Sequence, residues 1–454
     1  MRAPRRPRFT ATSLVLLLGA AILPACRKAD AVAGQPAAAS SAVSAEAAAS
    51  ARTPAMSARA LGLSKNTGTT PVDVQLEAAQ QMLRRFPDLR DSWIALGRLW
   101  VRKAREAGDP GFYLYAKACA DVSLDLEPGN RPAQGLLGLV LINNHKFYDA
   151  LDTADRLLAQ DPEDLMALGT RSDALLELGR FQESVQAAQR MVDLKPNLPS
   201  YSRAAYLRWL SGDTRRAEDI AWKAIDSGRD PRDTEPIAWA IVQAAIMFWQ
   251  EGDYPGANAG FGKALDAFKD YPPALVGRGK HALLVQNDAK AAVELLERAD
   301  RLSPLVETAW LLGDAREAAG DAAGAAAAYA LVVKRGRVSD PRTLAQFYAT
   351  KNRDLDEALK LATAELAVRG GPYTDDAHAW ALYRKGMFAE ARAASDRALQ
   401  HGTKDAVLWY HAGAIRIAAG EREAGQKLIR RALALNPRFD ATGAAEAASL
   451  VAAR

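Results

Sequence analysis

The chain has 454 residues, enough for two or three ordinary globular domains or for one long array of repeats. Apolar residues make up 49% of it and charged residues 25%, which predicts that most of the chain folds. The formal net charge of +5 depends on four arginines before residue 26. Without them the chain has 55 basic and 54 acidic residues. This balance excludes the basic surface typical of nucleic-acid-binding proteins.

Residues 1–25 have the layout of a secretory signal peptide. A basic start precedes an apolar run from Leu14 to Leu23, which is too short to span ~30 Å of hydrocarbon. The run leads into LPAC, which resembles the lipobox of bacterial lipoproteins, in which the cysteine becomes the first mature residue and carries lipid. The resemblance implies a lipidated Cys26 and, because Arg27 rather than Asp follows, an outer-membrane location facing the periplasm. The alternative is an ordinary signal peptide cleaved after Ala33, with Cys26 discarded.

Residues 26–70 are predicted to form a flexible tether. Most of this segment is alanine and serine with scattered proline, so it cannot bury enough apolar area to offset the entropy of ordering. The sequence PVDVQLEAAQQMLRRFPDLR follows and reads as one amphipathic helix without a partner helix. We therefore predict an N-terminal capping helix within residues 71–89.

From residue 90 onward the chain repeats itself with a period of 34 residues. The segment 406–439 has Trp409, Gly413, Gly420, Ala432 and Pro437 at positions 4, 8, 15, 27 and 32. This pattern resembles the tetratricopeptide repeat. The same frame fits 131–164, 165–198, 198–231, 238–271, 273–306 and 372–405, and more weakly the segments that start near 90, 306 and 339.

The resemblance implies an all-α fold: a tetratricopeptide solenoid, a right-handed superhelix of about ten helix-turn-helix repeats over residues 90–439. Proline near position 32 stops the second helix of a repeat because it cannot continue the hydrogen-bond ladder. One pair of helices cannot bury its apolar faces alone, so stacking on neighbouring repeats supplies the stability. Residues 440–454 are predicted to be a C-terminal cap or tail.

The stretch IAWAIVQAAIMFW at residues 237–249 is too short for a membrane span, which needs ~20 residues, and the repeat frame makes it the first helix of the fifth repeat. In the family, positions 2, 5, 9 and 12 of that helix tend to face the concave groove. The residues selected at such positions are candidate partner-binding residues, since aromatic rings often anchor partners. They are Tyr206, Trp209, Trp239, Val242, Ile246, Trp249, Trp310, Phe347, Trp380, Tyr383 and Tyr410. The alternative is that these side chains pack against their own neighbours or against the terminal segments.

No motif for catalysis, metal binding or cofactor binding is found in the sequence. The five histidines are scattered among the repeats without the spacing of metal ligands, and no nucleophile motif is present. We therefore predict no catalytic residue, no metal and no cofactor, and a chain that is not an enzyme.

Two functions fit these features. The first is a lipid-anchored scaffold of the bacterial envelope, which binds other envelope proteins or peptides through the aromatic concave groove and contacts the membrane only through its N-terminal lipid. The alternative is a periplasmic receptor for a polysaccharide or an extended peptide, because aromatic rings also stack on sugar rings.

Overall fold

The computed structural model describes residues 56–228, 230 and 233–452, and within them all regular structure is helical. Ten consecutive pairs of helices form the array, and we number these pairs as repeats 1 to 10, with an A helix followed by a B helix. The pairs are α3 (Arg90–Ala107) with α4 (Phe112–Leu126), α5 (Arg131–Asn143) with α6 (Phe147–Gln160), α7 (Leu165–Glu177) with α8 (Phe181–Leu194), α9 (Leu198–Leu210) with α10 (Thr214–Ser227), α11 (Glu235–Gln250) with α12 (Tyr254–Ala267), α13 (Pro272–His281) with α14 (Ala289–Leu302), α15 (Val306–Ala318) with α16 (Ala322–Ser339), α17 (Pro341–Thr350) with α18 (Leu355–Leu366), α19 (Pro372–Arg384) with α20 (Phe388–Ala398), and α21 (Ala406–Ala418) with α22 (Arg422–Leu435). A π-helical turn, Ala282–Gln286, continues α13.

Local sequence explains where the B helices begin. In repeats 4 to 7 an aspartate precedes the B helix, and its side chain accepts the backbone N–H three residues later, as Asp213 and Asp321 do. A left-handed residue often stands just before this position; Gly420 has a φ of 88° there, which glycine adopts without steric cost. These features set the tight turn between the A and B helices.

The segment that leads into the array is more ordered than predicted. The tether prediction extended to residue 70, but Ala58–Gly62 form a short helix, α1, capped by Ser57. Gly62 packs closely on Trp93 and Cys119, and its carbonyl accepts a 2.9 Å hydrogen bond from the indole of Trp100. This segment supplies contacts that a sequence poor in large side chains does not reveal. The rest of the predicted tether, up to residue 55, lies outside the described residues.

The two ends of the array carry one further helix each. Helix α2 (Pro71–Arg85) precedes repeat 1, with Thr70 and Asp73 forming a capping box at its start. Helix α23 (Gly443–Ala452) follows repeat 10, and Tyr410 of α21 donates a 2.7 Å hydrogen bond to Glu446 of α23. Both helices cover an end face of the solenoid.

Contacts between distant repeats show that the superhelix winds tightly. The turn within repeat 1 meets the end of repeat 6, where Ser303 Oγ donates to Gly108 O at 2.8 Å. In the same way Gly370 N donates to Glu177 O at 2.7 Å, joining repeats 3 and 8. Thr403 Oγ1 donates to Leu210 O at 2.6 Å and joins repeats 4 and 9.

The next pair of repeats continues this regular pattern. Asn436 Nδ2, at the end of repeat 10, donates to Trp249 O of repeat 5 at 2.9 Å. In repeats 1, 3, 4 and 5 the loop between the A and B helices therefore contacts the end of the repeat five places further on. Successive turns of the superhelix consequently touch. The concave face of the solenoid consequently lies inside the molecule.

Candidate functional site

The eleven residues predicted to face a groove divide into two sets by burial. Six side chains have almost no exposed surface: Trp209, Val242, Trp249, Phe347, Trp380 and Tyr410. The other five are partly exposed: Tyr206, Trp239, Ile246, Trp310 and Tyr383. These six side chains pack among neighbouring residues, although Trp380 and Tyr410 also border the internal cavity described below.

Helix α11, the most apolar A helix, illustrates what covers the predicted groove residues. Trp249 packs beside Tyr254, with the ammonium of Lys280 5.1 Å from its ring centroid. Trp239 and Ile246 join a cluster with Tyr206 of repeat 4 and Tyr373 of repeat 9. Because repeat 9 lies on the next superhelical turn, the contact between turns covers this face of α11. No helix in the described segments has the length and hydropathy to cross a membrane.

An internal cavity of about 240 Å³ remains along the A helices of repeats 6 to 10. His145 and Glu177, from repeats 2 and 3, contribute to its wall, as does the segment from Phe439 to Glu446 that leads into α23. Three of the predicted groove residues line it: Trp310, Trp380 and Tyr410. The cavity is therefore the part of the concave face that the superhelix leaves unfilled.

Acidic side chains dominate the charge of the cavity lining. Three cations line it, Lys280, Arg342 and Arg369. The carboxylates of the lining are those of Glu177, Glu307, Asp314, Asp340, Asp376, Asp405, Asp440 and Glu446. This excess of carboxylates favours the approach of positively charged groups.

Some of these charges are paired within the array. Asp314 accepts hydrogen bonds from Tyr329 at 2.7 Å and from Lys351 at 2.8 Å. Arg369 lies 3.0 Å from Glu365 and 3.6 Å from Glu177. Burial, together with the charge of Arg342, lowers the pKa of Arg369 from its ordinary value. These groups hold the wall in shape and are not free for a ligand.

Other charged side chains of the lining form no close ion pair. Glu307 and Arg342 form no ion pair with any residue of the described segments. Burial raises the pKa of Glu307, while the nearby charge of Lys280 opposes this effect. A half-buried charge without a partner costs free energy, which a bound group of opposite charge would recover.

Buried polar groups form a second part of the wall in repeats 9 and 10. His411 Nδ1 lies 2.9 and 3.0 Å from the two carboxylate oxygens of Asp376, and the ring of Trp380 stacks on His411 with centroids 3.8 Å apart. Asp405 accepts hydrogen bonds from Gln250 Nε2 at 2.6 Å and from the backbone of Val407 at 2.8 Å. This wall is rich in hydrogen-bond acceptors.

The sequence contained a signal for these polar residues. Glu307, Asp340, Tyr373 and Asp376 occupy the same repeat positions, 2 or 5, that selected the aromatic residues. The selection followed apolar and aromatic side chains, and so it passed over the three carboxylates; Tyr373 is aromatic and was missed although its position qualified. His411 stands one position after Tyr410, and only its contact with Asp376 in the preceding repeat distinguishes it.

Comparisons with known proteins agree with this architecture. The family model described as tetratricopeptide repeat matches residues 136–199 and 242–307. No curated protein sequence matches the chain.

Several solved structures are similar to parts of the chain. A human IFIT1 dimer with PPP-AAAA has 15% identity and a TM-score of 0.46, covering 80% of this chain and 87% of that one. The type IV pilus biogenesis factor PilW has 16% identity and a TM-score of 0.38, covering 46% of this chain and 95% of that one. Yeast Tom70 has 13% identity and a TM-score of 0.34, covering 80% and 95%.

The repeat period, the ten helix pairs and the family model all identify the same unit. Arrays of this unit are typically scaffolds that bind proteins rather than catalysts. Residues 136–199 and 242–307 are tetratricopeptide repeats, and the helix pairs of the described residues form a solenoid of the tetratricopeptide type.

Proposed function

We propose that the chain is a lipid-anchored scaffold of the bacterial envelope, which binds a protein partner in the cavity in the second half of its solenoid. The observation that carries this proposal is the cavity along the A helices of repeats 6 to 10, whose lining includes the partly exposed Trp310 together with Glu307 and Arg342, which form no close ion pair. An aromatic ring among charged side chains that lack a close ion pair is the composition of an anchor site for a protein segment.

Sequence features support the anchored location. The basic and apolar start, the LPAC sequence and Cys26 resemble a lipoprotein signal. Several acyl chains on one cysteine would make a stable anchor, because each buried CH₂ contributes ~0.8 kcal/mol. The outer membrane, with the array in the periplasm, is the location that Arg27 favours.

Site-specific photo-crosslinking in cells tests partner binding. A photoreactive amino acid at Gln346, which lines the cavity, is expected to capture one discrete protein; the same group at Lys334, exposed on α16, is expected not to capture it. Trp310→Ala should reduce the capture, whereas Trp222→Ala should not, because Trp222 lies on the outer helix α10 and is 42% exposed. Equal capture at both positions contradicts the proposal.

The same cells test the anchor through Cys26→Ser. The wild-type chain is expected in the membrane fraction and to incorporate labelled palmitate, and the Cys26→Ser chain in neither. A Cys26→Ser chain that stays in the membrane fraction would show that another feature holds the protein there.

The alternative receptor function depends on aromatic rings that are open to a sugar. Since six of the eleven predicted groove residues are buried, few rings can stack on a sugar. Retention of the chain on purified envelope polysaccharide, lost in Trp310→Ala and unaffected by added protein partner, is the result that would favour this alternative.

A further inference from the structure

We propose that the wall of the cavity formed by repeats 9 and 10 binds a cationic group, the ammonium or guanidinium of a basic side chain on the partner. This inference rests on the proposed function, because it names the chemistry that the cavity recognises. It depends on three residues of the described chain: Asp376, Asp405 and His411.

His411 presents a buried acceptor. Its Nδ1 lies within hydrogen-bond distance of both oxygens of Asp376, and since a carboxylate accepts, Nδ1 carries the proton. In the neutral imidazole the other nitrogen, Nε2, is then an acceptor. His411 is 6% exposed and lines the cavity, and no donor in the described residues reaches Nε2. This acceptor borders the cavity, so a ligand that donates would supply a hydrogen bond that no described residue makes.

Asp405 adds a second buried acceptor to this wall. It is 1% exposed and accepts hydrogen bonds from neutral donors, namely Gln250, the hydroxyl of Tyr373 and two backbone amides. Within the described residues no lysine or arginine forms an ion pair with Asp405 or Asp376. Burial raises the pKa of Asp405, while the backbone hydrogen bonds from Leu408 and Val407 oppose this effect.

The cations of the lining are engaged with other groups or belong to other repeats. Lys280 lies over the ring of Trp249, and Arg369 pairs with Glu365. Arg342, on α17, lies near Glu307 and is a cation of the lining that argues for an anionic ligand instead. The two readings differ in the sign of the charge that enters the cavity.

Nuclear magnetic resonance of the five histidines distinguishes a cationic from an anionic ligand in the cavity. The full chain is labelled with ¹⁵N at histidine, His411 is assigned with the His411→Gln variant, and n-butylammonium, butyrate or butanol is added. We expect n-butylammonium to shift the Nε2 signal of His411 saturably and butanol not to. Asp405→Asn should weaken this binding about fivefold or more, because one close charge pair contributes roughly 1 kcal/mol.

A matched control is Asp356→Asn, whose carboxylate is 93% exposed and pairs with Lys385. It should bind n-butylammonium as the wild type does. The proposal is overturned if butyrate shifts the signal, if butanol shifts it equally, if none of the three shifts it, or if a correctly folded Asp405→Asn chain binds n-butylammonium unchanged. Capture of a partner at Gln346 without an n-butylammonium shift would overturn this inference alone; an n-butylammonium shift without capture would overturn the proposed function alone.

Discussion

His145 lies in the turn between the A and B helices of repeat 2, in a left-handed conformation with a φ of 56°. The neighbouring repeats have Gly179 and Gly212 at the corresponding place, with φ values of 75°. Its side chain lines the cavity instead of facing solvent. Burial, followed by the charge of Arg369, lowers the pKa of His145 to about 4, so the folded chain holds this imidazole neutral at pH 7.

This shift predicts a loss of stability in acid. In the unfolded chain His145 protonates near pH 6.5, so between about pH 6.5 and 4 the unfolded state binds more protons and the free energy of unfolding falls as the pH falls. At pH 5 the effect amounts to about 2 kcal/mol. We expect His145→Asn, which tolerates a positive φ, to lose less stability between pH 7.5 and pH 5 in urea unfolding.

At pH 7.5 the imidazole is neutral in both states, so the difference between the two urea midpoints there reports the lost packing of the ring on Phe147 and serves as the reference for the change at pH 5. An acid loss of equal size in His145→Asn would show that other groups cause the pH dependence.

The candidate site was predictable only in part at the scale of residues. The repeat frame found Trp310, Trp380 and Tyr410, since the family's positions fix which side of an A helix is concave. It could not show that Trp209 and Trp249 are buried, because the groups that cover Trp249 include Asn436, far along the chain. Side chains that depend on the next superhelical turn leave no local pattern.

At the scale of elements, close contact between the A and B helices depends on small residues. In repeat 10 an added Cβ at Gly413 of α21 would lie 2.5 Å from Ile429 Cγ1 and 2.8 Å from the carbonyl oxygen of Gly425. Both obstacles belong to α22, and one is backbone, which cannot rotate away. The eighth position of the repeat is therefore small because two helix backbones meet there.

Gly413→Ala is consequently expected to destabilise the chain by roughly 1–3 kcal/mol, although alanine favours helix more than glycine does. Gly262→Ala in α12 is the matched control, since its Cβ would meet no atom within 4 Å. That variant should be stabilised by about 0.5–1 kcal/mol through helix propensity alone. Thermal unfolding of both variants measures the difference. Stabilisation of Gly413→Ala would contradict the packing argument.

The whole molecule is held by contacts between superhelical turns as well as between neighbouring repeats. Thr403 is completely buried, and its hydroxyl donates to the carbonyl of Leu210 across 193 positions of sequence. Gln250 and Asp405 form a similar link between repeats 5 and 9. A solenoid with contacts between neighbouring repeats alone would be flexible, whereas these links fix the positions of the repeats that form the cavity wall.

Thr403→Val keeps the shape of the side chain and removes this hydrogen bond, leaving the carbonyl of Leu210 buried and unpaired. We expect a loss of roughly 1–3 kcal/mol and faster hydrogen exchange in two separate segments, near residue 210 and near residue 403. Thr363→Val is the control, because its hydroxyl bonds to Leu359 within the same helix. Faster exchange near residue 403 alone would show that the turns are held together by other contacts.

The sequence by itself determined the structure of one repeat and the number of repeats. The period of 34 residues gives the number, and the small residues and prolines locate the two helices of each repeat. These features depend on contacts within a repeat or with the next one, which recur at a fixed spacing. Tertiary structure alone decided how tightly the superhelix winds. It thereby decided that the loop between the A and B helices of a repeat meets the end of the repeat five places further on. Small rotations between neighbouring repeats add up over five repeats and set the distance between successive turns of the superhelix. At the observed distance about half of the predicted groove residues are buried, and an acidic cavity remains beside them.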